Sequence, residues 1–384
     1  MDADYVGKHG QNLYLGGFTN SLSHIPASVA AAYRANPSVY SSTINIGASG
    51  GLAPLNTAVA NATLAVGVAN FTNPLGETPT SGEITTWNAL SPYPQYSNGL
   101  FGDGGIQNVD PPIARSNYHG LIVRASRQMS QGLQFLVTYT AQQSFDNGSS
   151  LGSNFFVTPN NDFGVQDPND IAAEYSLSAY NLGQIAQATF IYQLPFGKGL
   201  HWSTNSNLLD DIFGNWQTSG SYRWDSGQAL TIGGGGQATL PGSNSRPNLN
   251  GQLKKSAGVQ GIEVGGVVNG DYFQDPGVFS QPGSYTDGSA PRVLSGITAP
   301  GTNNFNFAVD KSIPLRFREG ADLRVRWESF NLFNHVQYSG PNTSPGTFTN
   351  GEYSTFQNDG GTFGAITSQA NDPRVQQVSL RVTF

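Results

Sequence analysis

The carboxyl-terminal residues Arg374–Phe384 read RVQQVSLRVTF and decide the fold class of this chain. Apolar and polar side chains alternate along the stretch, and the last residue is aromatic. Period-two alternation is typical of a β-strand that has one apolar and one polar face. The apolar face carries Val378, Leu380, Val382 and Phe384, and the polar face carries Gln377, Ser379, Arg381 and Thr383.

The same alternation recurs upstream and predicts an all-β protein. Within Met1–Leu15 it is weaker and centres on Tyr5–Val6 and Leu13–Leu15. Together with the terminal strand these segments make eight candidate strands. The six clear upstream strands are predicted at Ser116–Met129, Leu133–Phe145, Asn181–Leu194, Ile212–Ser226, Asn303–Ile313 and Ala321–Asn334.

The connections between these strands are unequal in a regular way. Short and long connections alternate strictly, as they do in a membrane β-barrel with short periplasmic turns and long outer loops. A β-sandwich has short turns at both ends. The short connections are Ser130–Gly132, Pro195–Asp211 and Pro314–Gly320, and the long ones are Gly16–Arg115, Asp146–Tyr180, Gly227–Thr302 and His335–Asn371.

Charged residues occupy the polar faces of the later strands. In a membrane barrel the apolar face meets lipid and the polar face lines the lumen. Two interpretations remain open: a salt-bridge ladder within the barrel wall, or a patch that contacts a substrate or a plug domain. The predicted lumen-facing residues are Arg223, Asp225, Asp310, Arg324, Arg326, Glu328 and Arg381.

Aromatic residues recur near the strand ends. In membrane barrels such residues form girdles at the two interfaces, although aromatic residues also favour β-strands in general. The residues predicted to form the girdles are Tyr139, Tyr192, Trp216, Trp224, Phe333 and Phe384.

The composition excludes several classes of protein. The 384 residues contain no Cys, which excludes disulfide frameworks, Cys-ligated zinc and thiol catalysis. Only 11% of residues are charged and the net charge is −7, so a nucleic-acid partner is not expected. No stretch is long and apolar enough for a membrane-spanning helix. The opening residues Met1–Asp4 lack the basic and apolar regions of a signal peptide, so none is expected.

Two short motifs suggest chemistry but fit it poorly. Gly47–Gly51 matches the G-x-S-x-G pattern of esterases, but the chain lacks the alternating strands and helices that this motif requires. An acidic stretch could bind Ca²⁺ through clustered oxygens, although its spacing is not that of an EF-hand. Its members are Asn160, Asn161, Asp162, Asp167 and Asp170. We therefore expect no catalytic role and no cofactor.

Several segments, taken in order, resemble one known family. They are similar to the carboxyl-terminal barrel of TonB-dependent receptors of the Oar-like branch, and the terminal strand resembles the insertion signal of bacterial outer-membrane barrels. The segments are Ala3–Leu15, Ser116–Asn147, QDPND at Gln166–Asp170, LPFGKG at Leu194–Gly199, Asn215–Ile232, RPN at Arg246–Asn248, Val325–Tyr338, FGAI at Phe363–Ile366 and Asp372–Phe384.

The resemblance implies an antiparallel transmembrane β-barrel in the bacterial outer membrane, with long extracellular loops. Complete receptors of this type have barrels of about 22 strands closed by a plug. Residues 1–384 would supply about the last eight strands and no plug domain. These strands could instead close on themselves, since about eight strands make a small barrel filled by its own side chains.

The implied function is ligand uptake across the outer membrane as part of a complete receptor. The implied partners are outer-membrane lipid, the barrel-assembly machinery and an extracellular ligand of unknown identity. The TonB system would act only through a plug domain. One alternative is a small structural or adhesive barrel with large surface loops and no transport role. Another is a secreted soluble β-protein.

Overall fold

The computed structural model describes most of the strands predicted above and parts of the connections between them. The described residues are 1–14, 31, 35, 43–46, 82–85, 112–149, 165–167, 170–197, 201–202, 209, 212–234, 246–256, 262–264, 267–269, 272–283, 286–315, 320–344, 348–349, 352–353 and 363–384.

Eight long strands form one antiparallel sheet, which we call the wall. Each strand pairs with the strands that precede and follow it in the list below. The eight predicted strands are therefore confirmed. They are β1 (Asp2–Leu13), β2 (Ala114–Ser130), β3 (Leu133–Asp146), β4 (Gln184–Gln193), β5 (Trp216–Asp225), β6 (Asn303–Pro314), β7 (Asp322–Phe330) and β8 (Val375–Thr383).

The pairing register sorts the side chains of the wall onto two faces. Directly paired residues of an antiparallel sheet point to the same side. One row of direct partners crosses six strands and is polar throughout: Asp2, Arg124, Thr138, Gln187, Arg223 and Asn304. An adjacent row on the opposite face is mainly apolar: Ala125, Val137, Ala188, Tyr222 and Phe305. We call these the polar face and the apolar face of the wall.

Three predicted strands are shorter than expected. The one predicted over Asn181–Leu194 spans Gln184–Gln193, and in the other two an asparagine sets the new limit. Asn215 and Asn331 have positive φ values of 56° and 52°, which break the extended conformation. The strand predicted over Ile212–Ser226 therefore begins at Trp216, and the one predicted over Ala321–Asn334 ends at Phe330. The side chain of Asn331 also accepts a hydrogen bond of 2.8 Å from the backbone of His335, which fixes the turn.

The tightest connection joins β2 to β3 through Gln131 and Gly132. Both residues have positive φ, 50° and 77°, as a type I′ hairpin requires. A side chain on Gly132 would lie 2.6 Å from the carbonyl oxygen of Gln193. Glycine is therefore required at this turn both by its backbone conformation and by the neighbouring strand.

The wall is an open sheet over the described residues. Its order begins at β1 and ends at β8, and these two strands are its edges. Closure into a barrel, and the number of strands in that barrel, stay predictions.

The described parts of the long connections form a second region, which we call the loop layer. It comprises the described residues within 165–183, 226–302 and 335–371, and its hydrophobic cluster is the loop core. All members of the loop core are buried. They are Leu230, Ile232, Leu253, Tyr272, Phe273, Phe279, Leu294, Ile297, Ala299, Phe363 and Ile366.

Short elements complete the described structure. Ser176–Leu177 pairs with the end of β3, and the loop layer contains two short 3₁₀-helices, Ile171–Glu174 and Pro276–Val278. Four further pairs of short strands lie in the connections. They are Thr43–Ile46 with Gly82–Thr85, Asn248–Leu249 with Phe279–Ser280, Ile262–Val264 with Val267–Asn269, and Phe348–Thr349 with Glu352–Tyr353.

Among the described residues, no helix is long and apolar enough to cross a membrane.

Candidate functional site

The seven charged residues predicted to face the lumen all lie on the polar face of β5–β8. Direct pairing places Asp310 opposite Arg326, Arg324 opposite Arg381, and Glu328 opposite Gln377. Arg223 pairs with Asn304 on the same face, and Asp225 follows two residues later. The sequence therefore identified a set of charges that the fold gathers on four adjacent strands.

Arg326 is the centre of an ion-pair cluster on this face. Its guanidinium lies 3.0 Å from Asp310 Oδ2 on β6 and 2.5 Å from Glu328 Oε1 on its own strand. Gln377 on β8 donates a hydrogen bond to the other oxygen of Glu328. The cluster thus joins β6, β7 and β8 through side chains. A ladder within a barrel wall and a patch that contacts a substrate or plug domain both stay predictions.

Asp225 has a structural role at the end of β5. Its Oδ1 accepts hydrogen bonds from the backbone of Gly227 at 3.2 Å and of Thr302 at 3.1 Å. These two residues begin and end the long connection between β5 and β6. Arg223 contacts the same carboxylate at 3.5 Å, but its own side chain is half exposed. Asp225 therefore closes the base of a loop.

Arg324 and Arg381 depart from the predicted ladder. They lie directly opposite each other on β7 and β8, and both are exposed. Within the part of the chain that the structure describes, neither makes an ion pair. Like charges placed directly opposite each other destabilise a sheet. This end of the polar face therefore offers two cations to an anionic partner.

A shallow depression of roughly 330 Å³ lies beside the Arg326 cluster. Polar side chains from β4 to β7 line it, including Thr189, Ser221 and Asn306. Asn306 donates to the hydroxyl of Ser221 at 3.3 Å and accepts from the backbone of Asn331 at 2.9 Å. The polar face is therefore an ordered hydrogen-bonding surface.

The terminal residues predicted as an insertion signal lie at the open edge of the wall. Val378, Leu380 and Val382 pair with Trp327, Val325 and Leu323 on the apolar face. Their exposed fractions are 68%, 71% and 46%, and that of Phe384 is 72%. Apolar side chains this exposed are expected where a protein meets lipid.

The residues predicted to form aromatic girdles lie mostly on the apolar face. Tyr139, Tyr192 and Trp224 have direct partners there, and Phe333 stacks on Phe305 at 5.7 Å. Trp216 packs beneath the ammonium of Lys311, 5.2 Å from the ring centre, close to the short connections. Tyr139 pairs with Val123 in the middle of β3, away from a strand end, and so departs from the predicted girdle. The girdles stay a prediction.

Sequence reasoning missed a buried polar junction in the loop layer. Arg246 and Glu174 form a two-pronged ion pair, with N–O distances of 2.6 Å and 3.1 Å, and both side chains are buried. The side-chain oxygen of Gln166 accepts hydrogen bonds from the backbone of Arg246 and Gly288. A side chain on Gly288 would lie 2.0 Å from the carbonyl oxygen of Arg246, so only glycine fits.

Arg292 forms a second buried junction between the loop layer and the wall. Its guanidinium lies 2.7 Å from the carboxylate of Asp146 at the end of β3, and also donates to the backbone oxygens of Asp146 and Glu174. Burial lowers the pKa of Arg292, and the neighbouring carboxylates of Asp146 and Glu174 oppose that shift. The two carboxylates therefore stabilise the charged form of Arg292.

The sequence segments that contain two of these buried residues were noticed, but nothing in them indicated a buried contact. Gln166 lies in the QDPND segment and Arg246 in RPN, two of the segments that carried the family resemblance. Neither segment shows a periodicity. Their partners are far apart along the chain, with 146 positions between Asp146 and Arg292.

The remaining chemical motifs gain no support. Gly47–Gly51 and Asn160–Asp162 lie outside the described residues. Asp170, from the acidic stretch, caps the 3₁₀-helix Ile171–Glu174 by accepting from the backbone of Ala173 at 3.2 Å. Within the described residues, no group of three or more His, Asp or Glu side chains could hold a metal ion.

Comparison with known proteins gives one match. The model of a family described as "Outer membrane beta barrel domain" matches residues 1–377. Searches of curated proteins and of solved structures give no match. The family match covers β1 to β7, the loop layer and the first three residues of β8.

Proposed function

The chain belongs to the outer-membrane β-barrel domain family, and on that premise we propose that it is the carboxyl-terminal barrel segment of a TonB-dependent type receptor. The protein is located in the bacterial outer membrane. The proposed activity is ligand uptake across that membrane by the complete receptor. The chain itself has no proposed catalytic role.

The observation that carries this proposal is the charged polar face of β5–β8. A small barrel is filled by its own side chains, whereas transporters of about 22 strands enclose a plugged lumen. The Arg326 cluster is suited to a lumen that holds water or another domain. So are Arg324 and Arg381, which make no ion pair with any residue that the structure describes. Such charges would be costly on a lipid-facing surface.

The orientation proposed for the wall follows from its connections. Short turns lie on the periplasmic side of such barrels and long loops lie outside. The loop layer would therefore face the exterior and take part in ligand recognition. Arg324 and Arg381, near the opposite end, would face the periplasmic half of the lumen. There they would contact acidic groups of a plug domain, which is also the proposed route to the TonB system.

The open edges agree with a segment of a larger barrel. A membrane cannot satisfy the backbone hydrogen-bonding groups of an unpaired strand. In the complete receptor β1 and β8 would each pair with a strand from outside residues 1–384. The exposed residues Val378, Leu380 and Phe384 would be recognised by the barrel-assembly machinery.

The size of the native protein tests this proposal. An antibody against the segment Asp372–Phe384 would be used to blot outer-membrane fractions, boiled and unboiled. We expect a heat-modifiable band well above 40.7 kDa, the mass of this chain. A heat-modifiable band at 40.7 kDa would instead indicate a self-standing barrel with a structural or adhesive role. The transport proposal would then be abandoned.

A further inference from the structure

Polar side chains interrupt the apolar face of the wall at the long-connection end of β1–β3. On β2 the residues facing this side are Arg115, Asn117 and His119, followed by the apolar Leu121, Val123 and Ala125. Direct pairing places His9 of β1 beside Asn117. The change from polar to apolar side chains therefore occurs within one strand.

Hydrogen bonds and ring contacts order this group. The phenol of Tyr5 lies 2.6 Å from His119 Nδ1, and Asn117 donates to the phenol of Tyr175 at 2.6 Å. Asn117 also bonds to His9. The Arg115 guanidinium lies over the Tyr175 ring, 4.7 Å from its centre, with one face of the cation covered. We call Tyr5, His9, Arg115, Asn117, His119 and Tyr175 the headgroup patch.

The headgroup patch carries no negative charge. Arg115 is exposed, and among the described residues it makes no ion pair with a carboxylate. The acidic residues of β1, Asp2 and Asp4, pair with Arg124 and Ile122 on the opposite face. A guanidinium binds phosphate oxygens through two parallel hydrogen bonds, and histidine and tyrosine side chains can donate to other oxygens of the same headgroup.

The position of the patch matches the layer of lipid headgroups. At about 3.3 Å per residue, Arg115 to His119 spans roughly 13 Å along β2. The hydrophobic band of a barrel is about 25 Å tall, and its strands are tilted by about 35–45°. Leu121 to Ser130 is about 30 Å along β2, which at that tilt is about 23 Å of height. The polar stretch therefore falls just above the hydrocarbon on the side with the long connections.

We propose that the headgroup patch binds the phosphate-bearing headgroup of a glycolipid in the outer leaflet of the outer membrane. Arg115 supplies the charge, held in place by the Tyr175 ring. The hydrogen-bonded pair of His119 and Tyr5 supplies one further donor, and Leu121 and Val123 contact the acyl chains. The proposal rests on the orientation proposed above, with the apolar face against lipid and the long connections outside. It does not require that the protein transports anything.

Lipid binding by the native protein, extracted folded from the outer membrane in detergent, tests the proposal. The probes are bisphosphorylated lipid A and a dephosphorylated lipid A with the same acyl chains, and bound lipid is counted by native mass spectrometry. We expect about a tenfold preference for the phosphorylated lipid, as one charge-assisted contact supplies. The variant Arg115→Gln/His119→Gln should lose most of that preference.

The matched control is Arg127→Gln, on the same strand and face as Arg115 but beside the short β2–β3 turn. It should keep the full preference. Gel mobility of boiled and unboiled samples reports whether each variant folds. If the double variant does not fold, Arg115→Lys and His119→Gln are measured singly, and each should reduce the preference.

Three results would overturn the proposal. Equal binding of the two lipids would show that only acyl chains are recognised. An unchanged preference in the Arg115 and His119 variants would place the phosphate elsewhere. Binding of inorganic phosphate as tight as that of the phosphorylated lipid would identify a free-anion site.

Discussion

The wall and the loop layer bury their side chains in opposite ways. In the loop core Leu230, Ile232 and Phe279 have exposed fractions of 0%, whereas Leu380 and Val378 of the wall are 71% and 68% exposed. The wall is stabilised by backbone pairing between strands and keeps apolar side chains on its surface for lipid. The loop layer is stabilised as a water-soluble domain is, by a hydrophobic core and buried ion pairs. The two regions of one chain are thus stabilised by different interactions.

The largest expected difference in stability between the two regions follows from replacing Arg292. Replacement by Ala leaves the Asp146 carboxylate buried without its cation, which costs about 3–5 kcal/mol in comparable cases. We expect the loop layer to open while the wall stays folded. Hydrogen–deuterium exchange should rise in residues 226–302, and the heat-modifiable gel shift should remain.

The control for Arg292 is Arg223→Ala, which removes a half-exposed arginine whose ion pair spans 3.5 Å. Contacts of that kind contribute about 0–1 kcal/mol. If both variants changed exchange equally, the buried junction would have no special importance for the loop layer.

A core truncation tests the same contrast with an apolar residue. Leu230→Ala should destabilise the loop layer by about 2–5 kcal/mol, because a cavity remains in a packed core. Leu380→Ala, the same change on the wall, removes an exposed side chain and creates no cavity. The temperature at which a protease begins to cleave the loop layer should fall only for Leu230→Ala. An equal change for both would mean that the loop core is not packed as described.

A charge on the lipid side should distinguish the two faces of β8. Leu380→Arg places a charge on the apolar face, and arginine on the lipid face of a barrel costs about 2–4 kcal/mol at the midplane and less near the interfaces. Ser379→Arg, one residue away, lies on the polar face opposite Arg326. The yield of heat-modifiable protein in the outer membrane should fall more for Leu380→Arg. The reverse order would show that the faces are assigned wrongly.

The smallest effect is expected at Arg326. The side chain of Arg326 is 35% exposed, whereas that of its partner Asp310 is 6% exposed, so solvent reaches only one side of the ion pair. Arg326→Gln should therefore cost more than an exposed pair, which contributes about 0–1 kcal/mol, but less than Arg292→Ala, because water and the glutamine amide can still reach Asp310. Denaturation in urea, followed by gel mobility, measures this. A loss of stability as large as that of Arg292→Ala would show that the wall depends on this ion pair as strongly as the loop layer depends on its buried one.

The wall was predictable because its signal is local. Alternation over Leu133–Phe145 is visible within the segment, and the observed strand Leu133–Asp146 differs by one residue. The seven charged residues were placed on one face for the same reason, since a period of two fixes the side of every residue. The prediction failed where single residues change the backbone direction, as Asn331 does at the end of β7.

The loop layer was not predictable because its contacts are distant. The pair of Arg292 with Asp146 depends on chain reversals that no periodic pattern records. Leu253, Phe279 and Phe363 come from Gly-rich connections, where isolated apolar residues do not reveal a shared core. The headgroup patch was missed for a different reason. Its residues interrupt the alternation at the start of β2, and a search for apolar periodicity does not register them.

The consecutive pairing of wall strands has a consequence for how such proteins change over evolutionary time. Since each wall strand pairs only with the wall strands before and after it in the sequence, a hairpin can be duplicated or deleted without changing the pairing of the others. The loop layer restricts that freedom. Arg292 joins the connection after β5 to the end of β3, and Arg246 joins the same connection to the one that follows β3. We therefore expect these hairpins to be exchanged together.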